Sequence, residues 1–181
     1  DTAAPRLSNL SVRSQVGTDA GILITGFNIS GTSAKQVLIR AIGPALTTFG
    51  LTGVLADPQL QVQSATNSIV AQNDNWGDQP GGSQISNIAQ ASGAFPLTAG
   101  SRDSAVLVSL NPGTYTAQVS GVGRTTGVAL VEVTTAAKQL LRGRAPIGVT
   151  AADWLRFVLG AALVAIALAR FALVARRRSR P

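Results

Sequence analysis

Neither cysteine, histidine nor methionine occurs among the 181 residues. Without cysteine there are no disulfides and no thiolate nucleophile, so stability rests on an ordinary apolar core. Without histidine there is no imidazole base for a serine nucleophile, and no His/Cys set for zinc. Acids are scarce too, eight Asp and Glu in all. No spacing among them recommends a pair for glycosidase chemistry, and no Gly-rich loop carries the Lys-Ser/Thr of a phosphate cradle. The composition argues against an enzyme. Aromatics make up 4% of the chain, too few for a carbohydrate-stacking strip. Trp76, Phe95 and Tyr115 therefore read as core or corner residues.

Charge is unevenly placed. Residues 1–137 hold six Lys/Arg against seven Asp/Glu, a net of −1. Residues 138–181 hold nine against Asp153 alone, a net of +8. A basic patch on a folded body would point to nucleic acid. Here the excess flanks an apolar run, which points to a membrane, and no nucleic-acid partner is expected.

That run, Leu155–Ala175, would form a helix about 31 Å long, close to the thickness of a bilayer's hydrocarbon core. Its eleven Leu, Val, Ile and Phe residues favour insertion by about 0.3–0.6 kcal/mol each. Arg156 and Arg170 oppose it, but both lie off the midplane and can snorkel. Trp154 suits the headgroup interface, and Arg176, Arg177, Arg178 and Arg180 set the C-terminus inside the cell. Ala161, Ala165 and Ala169 make a small-residue face that a partner helix can approach closely. Arg170 beside it would reach either another integral membrane subunit or the anionic headgroups of the bilayer. The expected organisation is a domain over 1–137, a linker over 138–152, a transmembrane helix over 153–175 and a basic tail over 176–181. A start at Asp1, with no apolar leader before it, reads as a mature chain after signal-peptide removal. A cleaved sorting signal is the competing reading of the C-terminus, but no Pro-Glu-Pro or Leu-Pro-x-Thr-Gly precedes the helix.

The body reads as all-β, an antiparallel β-sandwich of jelly-roll or Greek-key type. Short alternating or apolar runs between turn signals predict strands over Leu7–Arg13, Gly21–Ile29, Gln36–Ile42, Gln59–Gln63, Ser68–Gln72, Ala105–Leu110, Thr114–Ser120 and Gly127–Val133. Pro112-Gly113 marks the start of the seventh. The eighth is expected to pair with it across Gly121–Thr126. The stretch from Gly43 to Ala56 is too long for a hairpin and predicts a helical turn. Ile85, Ile88 and Ala89 at helical spacing predict a short helix over Gln84–Ala91, packed across one end of the sandwich.

Three segments, Asp57–Val62, Ile69–Trp76 and Asn111–Gly121, together resemble a pre-peptidase C-terminal module. Arg6–Arg13 and Val37–Pro44 resemble a longer version of it, so the likeness covers roughly residues 6–134. It implies a β-sandwich of the kind appended to secreted bacterial enzymes and surface proteins, and no activity of its own.

Two places merit attention as sites. Asn73-Asp74-Asn75-Trp76-Gly77-Asp78 is the densest polar cluster, and its oxygens are of the kind calcium takes. Related modules sometimes bind calcium with acidic loop residues. The plainer reading, preferred here, is that these side chains make turn bonds at a strand end. Asp74 and Asp78 are the residues to test, with Asn73 and Asn75 beside them. Arg40, inside an apolar strand, would contact an anion or a partner or, the reading preferred here, pair with a carboxylate such as Asp57 or Asp103 at the sheet margin.

The functional expectation is a non-catalytic single-pass protein of the bacterial cytoplasmic membrane, with its sandwich outside. It would serve as an accessory or scaffolding subunit of a larger membrane assembly. A membrane-anchored adhesion or ligand-binding module is the alternative, and an exported hydrolase comes last.

Overall fold

Alternation along the strands builds the architecture. In β7 (Gly113–Gly121), Tyr115, Ala117 and Val119 are buried while the residues between them are not. One face turns to a core and one to solvent. The computed structural model describes residues 9–78 and 81–136. Over these the chain forms β1 (Asn9–Val16), β2 (Leu23–Ile29), β3 (Lys35–Ile42), β4 (Pro58–Ser64), β5 (Ile69–Asn73), α1 (Gly82–Ala91), β6 (Ser104–Leu110), β7 and β8 (Gly127–Thr135). All eight expected strands are present. β1 runs three residues beyond its expected end, and Leu7 and Ser8 lie outside the described residues.

The strands form two antiparallel sheets, ordered β1-β8-β3-β6 and β2-β7-β4-β5. The inner faces enclose one core, with Val37, Ile39, Val131 and Val133 from the first sheet against Leu60, Val62, Ala117 and Val119 from the second. Tyr115 closes one corner: its ring stacks on Phe27 at 5.8 Å and its hydroxyl donates to the Asn111 carbonyl at 3.0 Å.

The expected β7–β8 hairpin is not formed. β7 lies between β2 and β4, and β8 lies between β1 and β3 in the opposite sheet. Their connection crosses the sandwich as an arch through Gly123 and Arg124, both at positive φ. Gly121 opens that arch, where a Cβ would lie 2.1 Å from the Thr125 carbonyl oxygen. Only glycine allows the chain to turn away so tightly there.

The outer faces of the two sheets differ. On the first, Leu38 and Ala105 pack against Ile85 and Ala89 of α1. Ile42 packs against Ala45 and Leu46 of a 3-10 turn, Pro44–Phe49, which supplies the helical turn expected after Gly43. The helix thus lies on the broad face of a sheet, not across an end of the sandwich. Its place follows from an apolar outer stripe on β3 and β6 that an amphipathic helix can cover. On the second sheet, none of the four strands carries an Asp, Glu, Lys or Arg. Register aligns Ile24, Gln118, Gln61 and Gln72 in one cross-strand row. The Gln118 side-chain amide donates to the Gln63 side chain at 3.0 Å.

Among the described residues no helix is long and apolar enough to cross a membrane. Trp154, Ala161, Ala165, Ala169, Arg170, Arg176, Arg177 and Arg178 lie outside them, as do the expected linker, transmembrane helix and tail.

Candidate functional site

β3 and β8 are the central strands of the first sheet, and their register sets Arg40 directly opposite Glu132. Both side chains stand on the outer face, beneath the layer formed by α1 and the loop that follows it. Arg40 Nε (2.8 Å) and Nη2 (2.5 Å) donate to Glu132 Oε2. Nη1 donates to the Phe95 carbonyl at 2.7 Å. The Phe95 ring covers the guanidinium, its centroid 4.7 Å from Cζ, a cation–π contact. The Arg40 side chain is 1% exposed. Arg40 is paired with a carboxylate as expected, but the partner is Glu132 and not Asp57 or Asp103, and the pair sits mid-sheet, not at the margin.

The two aspartates are used elsewhere. Asp57 pairs with the largely exposed Arg102 at 3.0 Å. Asp103 is fully buried, and its Oδ1 accepts from the backbone N–H groups of Gly43 (2.9 Å) and Ala45 (3.2 Å). Ser101 Oγ donates to its Oδ2 at 2.7 Å. Asp103 thereby fastens the excursion after β3 to the start of β6.

The Asn73–Asp78 loop is tied to the same place. Asn73 is buried, its Oδ1 accepting from Ser104 Oγ and the Ala105 N–H, both at 3.2 Å. Its Nδ2 donates to the Asn75 carbonyl at 2.9 Å, a turn bond. Asp74 and Asp78 are exposed, and Asn75 is half-buried. Among the described residues no three His, Cys, Asp or Glu side chains gather as a metal set. Within the loop, Trp76 packs against Ile85 and Ala89 of α1. Its Nε1 donates to the Thr98 carbonyl (3.1 Å) and to Ser101 Oγ (3.2 Å).

Between α1, Trp76 and the loop over 93–97 lies a cavity of about 450 Å³. Arg40 and Trp76 contribute to its wall, with Ile85, Ala89 and Leu97, and Ser86 and Gln90 stand at the exposed mouth. Among the described residues of the lining, Arg40 is the one ionised group, and Glu132 neutralises it. Among the described residues the lining offers apolar contact, with Ser86 and Gln90 as its uncharged polar side chains.

Glu132, Ser86 and Gln90 were not singled out from the sequence. A signal did exist for Glu132, the one acid within an apolar strand, as Arg40 is the one internal base of another. Two such residues invite pairing wherever their strands are neighbours. Nothing in the sequence marked the cavity.

No family model matches the chain, and no curated protein matches it. Among solved structures, it is similar to the pre-peptidase C-terminal domain of a collagenase from Bacillus anthracis. That likeness has 12% identity and a TM-score of 0.42, over 70% of this chain and 90% of that one. The sandwich assignment rests on the two sheets and their register.

Proposed function

We propose that the chain is a non-catalytic, single-pass membrane protein that holds its sandwich outside the bacterial cytoplasmic membrane as an accessory subunit of a larger membrane assembly. The observation that carries this reading is the apolar run Leu155–Ala175, abutting Arg176-Arg177-Arg178. The domain, whose strand order is that of an eight-stranded jelly roll, supports a docking role in two ways. Its buried ionic groups are committed to structure, Arg40 to Glu132 and Asp103 to backbone. Its second sheet offers a neighbouring subunit strands with no charge to desolvate. The partners are other integral subunits, met through Ala161, Ala165, Ala169 and Arg170, and anionic headgroups.

Two measurements test this. Alkaline carbonate should leave the intact chain in the vesicles, and protease added outside should not reach the arginine cluster. Either failure refutes the anchor. Gentle detergent extraction should then bring the chain out with other integral subunits in fixed ratio. A lone monomer would favour the second reading, an anchored adhesion or ligand-binding module, for which the cavity under α1 speaks. Calcium at Asp74 and Asp78 is tested by melting with and without a chelator, and an unchanged melt with no bound metal removes it.

A further inference from the structure

We propose that the cavity beneath α1 is a binding site for an uncharged, largely apolar small molecule. The inference gives a ligand class to the second reading above, and it concerns the sandwich alone. Its failure leaves the anchor untouched, because vesicle extraction tests the one and ligand titration the other.

Size is the first argument. At about 450 Å³ the space falls within the range of about 300–1,000 Å³ typical of small-molecule pockets. The space opens to solvent past Ser86 and Gln90, so a small molecule can enter it without local unfolding. It is kept open by small residues where the helix and its following loop pass the wall. Ser86, Ala89, Gly93 and Ala94 all line it, and a larger side chain at Ala89 or Ala94 would intrude on it.

Charge is the second argument. From Gln79 to Ser101, the stretch containing α1 and the loop beyond it, no residue is Asp, Glu, Lys or Arg. Arg40, the one ionised group among the described residues of the wall, has Glu132 on one edge, the Phe95 carbonyl on another and the Phe95 ring over its face. The pair is neutral as a unit and nearly sealed. An ion entering the cavity would shed water with no counter-charge to meet it, a cost a neutral molecule escapes. Ser86 and Gln90 at the mouth can meet one polar group of such a molecule.

Trp76 lines the cavity and serves as reporter. The chain has two tryptophans, so a Trp154→Phe background isolates its emission. Full-length protein in lipid nanodiscs is titrated with 4-nitrobenzyl alcohol, 4-nitrobenzoate and 4-nitrobenzylamine, three quenchers of one shape and different charge. The neutral probe should quench Trp76 saturably, and the two ions should need about tenfold higher concentrations, the factor that about 1.4 kcal/mol of ion desolvation produces. Ala94→Leu, intruding on the space, should abolish saturation. Ser86→Phe, on the exposed side of α1, should do the same by closing the mouth if Ala94→Leu fails to fold. Linear, unsaturable quenching by the neutral probe overturns the proposal, leaving the cavity to a partner's side chain. Tighter binding of the anion also overturns it, as does saturable quenching that survives in both folded variants.

Discussion

Replacing Glu132 with alanine would leave Arg40 ionised and 1% exposed. Arginine cannot shed its proton to escape such a position. Two of its three hydrogen-bonded nitrogens, Nε and Nη2, would lose their acceptor, and only the Phe95 carbonyl would remain. Breaking a buried pair on one side costs about 3–5 kcal/mol. Against a domain stability of about 5–15 kcal/mol, that would take a large share of the whole. Removing both charges is a different matter. Arg40→Met with Glu132→Leu keeps the volume apolar under α1, and such replacements are neutral or stabilise by about 1–4 kcal/mol. Urea unfolding of the full chain in mild detergent, followed by far-ultraviolet circular dichroism, measures both. The single variant should shift the midpoint down with little change in slope, and the double variant should restore it. A single-variant loss under about 1 kcal/mol would refute the reasoning, since only a solvated pair is that dispensable. A double variant as unstable as the single would refute it equally, because the cost would then lie in shape and not in charge.

Three further outcomes are expected. Asp103→Ala leaves the buried N–H groups of Gly43 and Ala45 without their acceptor, at about 1–3 kcal/mol each; Asp103→Asn, which keeps an oxygen there, should lose less in the same unfolding assay. Gly43→Ala would set a Cβ 2.0 Å from the Leu55 carbonyl oxygen. Backbone must then move, and a lower midpoint by about 1–3 kcal/mol is expected. On the surface, the hydrogen bond from Arg124 holds the Asp19 carboxyl below its ordinary value, the small desolvation opposing it. The ionised form is thus favoured in the folded state. Whatever stability this adds is present above the ordinary aspartate range and is lost as pH falls through the lowered value. Titration of the Asp19 carboxyl carbon by NMR should show the depression, and Arg124→Ala should abolish it.

The strands are legible in the sequence because alternation is local. Tyr115, Ala117 and Val119 face one way whatever lies beside them, and Pro112-Gly113 marks where their strand begins. Ile85, Ile88 and Ala89 likewise declare a helix with one apolar face. None of this says which strand is neighbour to which. A hairpin and an arch between β7 and β8 ask similar things of the residues in each strand. Only closure of the whole sandwich places β8 between β1 and β3.

The partner of Arg40 follows from that placement. Asp57 and Asp103 stood open as partners until register set Glu132 across from Arg40 and turned Asp103 toward the Gly43 and Ala45 amides. The cavity is more distant still from the primary structure. It is the space left where α1 and the loop after it pass over Trp76 and a neutralised arginine, so it belongs to no single segment. Periodicity and composition belong to neighbours along the chain and were legible from the residues alone. Pairing, burial of charge and empty volume belong to neighbours in space, and only the folded sheets brought those together.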